Sequence, residues 1–404
     1  MKNIVAIGYH SYKDPIMEGL LVQYLKGINH EKTHIHLITF EQKQYFVNEE
    51  ERKSIQKALA AKNIYWIPKK YLTGGIFILF KKILNFLTAF HELRKINKRD
   101  SVNAVLGFTS LSGAISYAVS RFYRLKLIIL CFEPHSMYMR DFKIWSNKSL
   151  SYIILRKLEK LQVKNADILV VPTRHTLQLV QQWGISGKLF QMPICVDENE
   201  FMFSNDARSL IRSKIGCGDK KVILYLGKFG GIYYSLEEVI GFYHQLYKAD
   251  NSLFFYIITP EQSEIVEKRL EEINVPKENY SVSPVIPYNE VNQHISASDL
   301  GMLAVPSLPS QKYRTPIKTA NYLLCGLPYL VNAGVSEDDE IAQKHKVGVV
   351  INSIDTLDTS TIAEINSLLS NDPTAMRQKC REIGIKYRSL GNMIGLLDQI
   401  FNEV

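Results

Sequence analysis

Short runs rich in β-branched and aromatic residues alternate with stretches whose apolar positions recur every three or four residues, almost from end to end. The first kind of run predicts strands at Asn3–Gly8, Thr33–Phe40, Asn63–Pro68, Val102–Phe108, Lys126–Glu133 and Asp167–Pro172. Helical patterns fall between them, for example Pro15–Ile28 and Leu150–Val163. A second series of strands starts after Lys221, at Val222–Gly227, Leu253–Thr259, Tyr280–Val285, Leu300–Pro306, Pro328–Asn332 and Val347–Ile351. Strands alternating with helices call for an α/β fold with parallel sheets. The expected architecture is two doubly wound, Rossmann-like domains facing across a crevice, where such sheets bind ligands beyond the carboxyl ends of their strands.

Between the two series, Met192–Phe201 and the polar Ser204–Lys214 read as the inter-domain connection. The domains are therefore expected at 1–194 and 195–385, with a C-terminal helix in 386–404 able to pack back on the first domain. At 404 residues the chain is long enough for two or three domains of roughly 150 residues. A composition 46% hydrophobic and 22% charged excludes disordered and collagen-like classes. The five cysteines form no CxxC, which argues against a zinc ribbon or a disulfide framework and reads as reduced cytosolic thiols. The N-terminus runs straight into a strand rather than a signal-peptide core, and no run of about 18 apolar residues predicts a bilayer span. A cytoplasmic location follows, with the inner membrane face as a peripheral site.

Charge changes the picture in one place. The net charge is +9, and residues 62–99 carry +8 of it, with nine Lys or Arg against Glu92 alone. Here Ile76, Leu79, Phe80, Ile83, Leu87 and Phe90 recur at helical spacing, with Lys81, Asn85, Thr88, Glu92 and Lys95 opposite. Two readings fit this pattern. The apolar side packs on a sheet, or residues 69–99 meet an anionic membrane, each cation adding about 1 kcal/mol near the surface. No motif for nucleic-acid binding is present, and none is expected as a partner.

The candidate chemistry lies in the loops after the strands. After Leu300–Pro306 comes a polar loop, then a helix expected to start with Thr315 as N-cap and Pro316 at its first position, followed by Ile317. Lys318 falls in the first turn, where the helix dipole disfavours a cation by a few tenths of a kcal/mol. A diphosphate bound at that helix end would reverse the penalty. Gly227-Lys228-Phe229-Gly230-Gly231 directly follows a predicted strand and offers backbone N–H groups and one cation to a phosphate. It is neither GxGxxG nor a Walker sequence. In the first domain Gly8 opens the loop after the first strand, and His135 follows the fifth. No DxD pair or His cluster has metal spacing, so no metal and no cofactor are expected.

These residues together resemble the GT-B glycosyltransferases, specifically the large retaining family 4 group. Ala166–Thr173 resembles that family's ADxxxxxS strand, and Pro193–Phe201 its NGVDxxxF linker. Leu226-Gly227-Lys228 is similar to VGR, and Ala297–Leu300 to ASDL. The specific match is Thr315–Pro328, which resembles SPxKxxEYLACGLP. The resemblance implies a nucleotide-sugar, such as a UDP- or GDP-sugar, held by the second domain, and a glycan or lipid-linked acceptor held by the first. Lys228 and Lys318 would neutralise the donor diphosphate and His135 would contact the transferred sugar. Gly8, Gly227, Gly230, Thr315, Pro316, Ile317 and Asn321 would line the donor site. Three departures stand out: Asn321 replaces the glutamate expected on the ribose, Tyr313 replaces its acidic partner eight positions earlier, and Tyr233-Tyr234 replace a second cation.

The function implied is a hexosyltransferase acting with retention in bacterial surface-polysaccharide biosynthesis. Because of the departures, a GT-B protein of weak or no activity, binding a nucleotide-sugar or partner within an assembly complex, is the alternative. An epimerase on the same fold is a further one.

Overall fold

The computed structural model describes residues 2–31, 33–72 and 78–403, and the side chains of all of these except 78–80. Of the expected apolar positions on the cationic helix, Ile76 and the side chains of Leu79 and Phe80 lie outside the described residues. The chain divides into two compact units: Met1–Pro193 with Gly391–Val404, and Ile194–Leu390.

Unit 1 holds a seven-stranded sheet of β1 (Lys2–Gly8), β2 (Thr33–Glu41), β3 (Ile64–Lys70), β4 (Ala104–Phe108), β5 (Lys126–Leu130), β6 (Ile168–Val171) and β7 (Lys188–Gln191). The order is β3-β2-β1-β4-β5-β6-β7 and every pairing is parallel. Connections run outward from β1 in one direction and from β4 in the other, so the switch point lies between β1 and β4. The inner strands are buried on both faces, as helices on either side of a parallel sheet require.

Unit 2 holds β8 (Val222–Leu226), β9 (Phe254–Ile258), β10 (Tyr280–Ser283), β11 (Leu300–Met302), β12 (Tyr329–Asn332) and β13 (Gly348–Ile351), ordered β10-β9-β8-β11-β12-β13. Its switch point lies between β8 and β11, whose register pairs Leu300 with Ile223. A core of Ile223, Tyr225, Phe242, Tyr243, Phe255 and Leu300 packs helices against this sheet.

The helix expected at Pro15–Ile28 is present, π-helical over Met17–Leu21 and α-helical over Val22–Gly27. Other local expectations need correction, and the strand expected at Leu300–Pro306 is shorter, ending at Met302. The fifth strand ends at Leu130 rather than Glu133, where Cys131 takes a left-handed φ of 52° and turns the chain. The strand β7 has no counterpart in the sequence pattern. The cationic helix Ile78–Asp100 buries a different face: Asn85, Ala89, Leu93 and Ile96 point inward, while Ile83 and Leu87 are 55% and 54% exposed. Asn85 is tolerated inside because it is fully hydrogen-bonded, accepting from Leu72 N–H and donating to Leu72 O and Tyr9 Oη.

Candidate active site

The unit 2 candidates come together at its switch point. β8 and β11 are parallel neighbours, so the loops leaving their C-terminal ends emerge side by side. Asn332, the last residue of β12, fastens them: its Nδ2 donates to Tyr234 Oη in the loop after β8 and, at 2.7 Å, to Val305 O after β11. Tyr225 Oη donates to Lys228 O at 3.0 Å, fixing the backbone on which the exposed Lys228 stands. The Lys228 ammonium lies 5.6 Å from the centroid of Tyr233, one of the tyrosines found where a second cation is expected. Gly230 has φ of 74°, a conformation that favours glycine, and its carbonyl accepts from Tyr233 N–H. A Cβ at Gly227 or Gly230 would meet nothing within 4 Å, so neither glycine is there to make room for protein.

The helix Ile317–Leu324 starts one residue later than the sequence predicts. Pro316, not Thr315, is the N-cap, with φ −64° and ψ 129°, and no side chain caps the helix. Thr315 Oγ1 instead lies 3.4 Å from Ser336 Oγ. The N-terminal N–H groups therefore lack the side-chain acceptor expected of a Thr N-cap.

Lys318 sits in that uncapped first turn and, among the described residues, makes no hydrogen bond or ion pair. Part of its side chain remains accessible, yet burial alone pulls the ammonium down to about 8. Beside it in the chain, Thr319 Oγ1 donates to Asp338 Oδ2 at 2.8 Å, and Asp338 is ion-paired with the buried Arg388. This buried pair pins the helix that carries Lys318.

Asn321, on the same helix, is 1% exposed, and its Oδ1 has no partner among the described residues. Two residues that sequence reasoning missed share this condition. Ser310 and Gln311, in the loop after β11, are fully buried with Oγ, Nε2 and Oε1 unpartnered among the described residues. Unsatisfied buried polar groups are costly, and three in neighbouring segments point to groups that a ligand completes. The polar run Ser307–Arg314 was the available signal, but nothing in it singled out these two positions.

The unit 1 candidates are built differently. Gly8 ends β1 and is buried, with Met17 Cε only 2.3 Å from where a Cβ would sit, so packing is a sufficient reason for this glycine. His135 opens the helix His135–Asp141 and lies half-buried, its ring 6.1 Å from Trp145 and 6.2 Å from Tyr138. The next residue, Ser136, is held by Glu159, a carboxylate that sequence reasoning also missed. Burial pushes Glu159 up to about 7, against the pull of the Ser136 hydrogen bonds and of Arg156.

Comparison with known proteins agrees with this fold. Residues 277–390, which include the Lys318 helix, match the family described as glucosyltransferase 3-like, C-terminal domain. No curated protein sequence matches the chain. Among solved structures, sucrose-phosphate synthase from Thermosynechococcus elongatus aligns over 100% of this chain and 99% of its own, with TM-score 0.73 at 13% identity. HepE of Anabaena in complex with UDP-glucose aligns over 100% of both chains, with TM-score 0.69 at 11% identity. WaaG, a glycosyltransferase involved in lipopolysaccharide biosynthesis, aligns over 98% of this chain and 99% of its own, with TM-score 0.65 at 12% identity. The class is thus defined: the fold is the two-domain GT-B fold of glycosyltransferases. Within it, residues 277–390 are similar to the C-terminal domain of glucosyltransferase 3-like proteins.

Proposed function

We propose that the chain transfers a hexose with retention from a nucleotide-sugar, a UDP-sugar in the first instance, to a glycan or lipid-linked acceptor of a bacterial surface polysaccharide. The observation that carries the reading is Lys318: a cation with a lowered pKa, unpaired among the described residues, in the uncapped first turn of its helix and three residues before Asn321, whose Oδ1 likewise has no partner among them. A diphosphate supplies the missing anion, and a ribose hydroxyl supplies the donor that Asn321 Oδ1 lacks. HepE, bound to UDP-glucose, supports the choice of base, and WaaG the choice of pathway class.

In the reaction the bond between the anomeric carbon and the diphosphate oxygen breaks, its electron pair leaving with the phosphate. The acceptor hydroxyl attacks from the same face, and its proton passes to the departing phosphate oxygen. Lys228 and Lys318 stabilise the charge that grows on the leaving group, and His135 contacts the sugar. No residue is assigned to a metal, and transfer is expected to survive chelation of divalent cations.

The exposed Ile83 and Leu87, among the lysines and arginines of Ile78–Asp100, favour a peripheral contact with an anionic membrane. Among the described residues no helix is long and apolar enough to cross a membrane.

Thermal shift with UDP, GDP, ADP, CMP and their sugar conjugates tests the donor site. Ligand at 100 times its dissociation constant stabilises by about 2.7 kcal/mol. A selective shift with UDP compounds is expected, and no shift with any nucleotide overturns the reading. Asn321 and Tyr313 favour a second reading, a protein that binds the donor without transferring it. Acceptor-dependent release of free UDP separates the two.

A further inference from the structure

We infer that the outer face of the helix Leu150–Asn165, with the loop before it, docks on an anionic lipid bilayer through a surface separate from Ile78–Asp100. A helix on a protein surface buries its apolar stripe and turns polar side chains outward. The inner stripe here is Leu155, Glu159, Gln162 and Val163. The outer face nevertheless begins with Leu150, Ile153 and Ile154, at spacings of three and one, which are 67%, 49% and 50% exposed. Ile144, in the loop before the helix, is 47% exposed.

The charges along this segment are of one sign. Lys143, Lys148 and Lys157 are exposed, and residues 142–158 contain no Asp or Glu. The flanking acids are withdrawn: Asp141 is paired with Arg140 at 2.7 Å, and Glu159 is buried. Exposed aliphatic side chains interspersed with exposed lysines match a bilayer interface, where the apolar groups enter the acyl boundary and the ammonium groups reach lipid phosphates. A second copy of the chain is the poorer occupant, because a two-fold contact would set this lysine-rich patch against itself.

Trp145 belongs to the same loop and its ring faces His135. The surface therefore adjoins the residue assigned to the sugar, so a lipid-linked acceptor would reach His135 from the membrane it rests on. That last link rests on the proposed transferase reading, whereas the docking does not.

The test is flotation with vesicles of pure phosphatidylcholine and of an equal mixture with phosphatidylglycerol. Wild type is expected to float with the mixed vesicles only. Leu150→Glu/Ile153→Glu is expected to bind them at least about tenfold more weakly, since both large aliphatics then no longer enter the acyl boundary. Lys143→Glu/Lys148→Glu is expected to weaken binding to the mixed vesicles as well. The UDP-induced thermal shift should be unchanged in both variants, which separates lost docking from lost folding. The inference is overturned if both variants float like wild type, if only Ile83→Glu/Leu87→Glu loses binding, or if wild type floats with neither vesicle. It is equally overturned if wild type is a dimer that Leu150→Glu/Ile153→Glu dissociates. Failure of the UDP shift in wild type would sink the donor-site reading and leave the docking result standing.

Discussion

Glu159 holds Ser136 twice, accepting from its backbone N–H at 2.8 Å and from its hydroxyl at 2.5 Å. The buried carboxylate thereby fixes the first turn of the helix that His135 opens. Its folded pKa of about 7 lies above the ordinary 4.5, so the stabilising neutral form is fully present below about 4.5 and is lost as pH rises through about 7. At 1.36 kcal/mol per unit, the difference amounts to ~3 kcal/mol. Glu159→Gln, which does not titrate, should therefore gain stability relative to wild type as pH goes from about 5 to about 8. Urea denaturation at several pH values reads the difference, and a gap independent of pH would contradict it.

Lys318→Ala should lower transfer by about two orders of magnitude or more, the cost of removing one group that stabilises developing negative charge. Near-normal turnover in this variant would remove Lys318 from the mechanism.

The lowered pKa of Lys318 has a sign that kinetics can read. The free protein loses this cation as pH rises past about 8, so kcat/KM for the donor should fall on that alkaline limb. Bound diphosphate favours the charged form and should move the limb upward in kcat. Lys318→Arg should abolish it, since arginine stays charged. An alkaline limb that persists in Lys318→Arg belongs to another group.

Asn321→Leu separates ligand binding from folding. A buried acceptor with no partner costs free energy, so removing it should leave the ligand-free melting temperature unchanged or higher. The nucleotide-induced shift should shrink at the same time. A variant that melts several degrees lower, yet shifts fully with nucleotide, would make Asn321 a packing residue.

Arg388→Ala leaves Asp338 as an uncompensated buried charge and should cost about 3–5 kcal/mol. Because Asp338 also holds Thr319, next to Lys318, donor affinity should fall along with stability. A loss of stability with donor affinity intact would show that the pair supports the fold alone.

Most of the sheet framework was legible because a strand buried on both faces leaves an unbroken apolar run. Of the thirteen strands among the described residues twelve were expected, the inner ones such as β1, β4 and β8 in this way, whereas β3, β10 and β13 are only partly buried and were read from their β-branched and aromatic residues. The exception, β7, is a four-residue edge strand with no buried residue, and Lys188 and Gln191 at its ends are exposed. Helix faces were harder to read. Periodicity sets Ile83 and Leu87 on the apolar side and Asn85 opposite, and leaves open whether that side meets a sheet or a membrane; one asparagine with all its hydrogen bonds made is cheap to bury, and the buried register follows Ala89, Leu93 and Ile96. The site was half legible. Lys318 broke a charge rule within a recognisable motif, whereas Gln311, Ser310 and Glu159 look like ordinary polar residues until their burial is known.

The path of the chain between the units bears on its synthesis. Unit 2 is made entirely of consecutive residues, while unit 1 needs its first 193 residues and also Gly391–Val404. Those last residues bury Leu397, Ile400 and Phe401, and tie Asn29 N–H to Asp398 and Lys2 to Asn402 O. A chain emerging from the ribosome can therefore finish unit 2 first, and unit 1, begun earlier, closes only once Gly391–Val404 has followed.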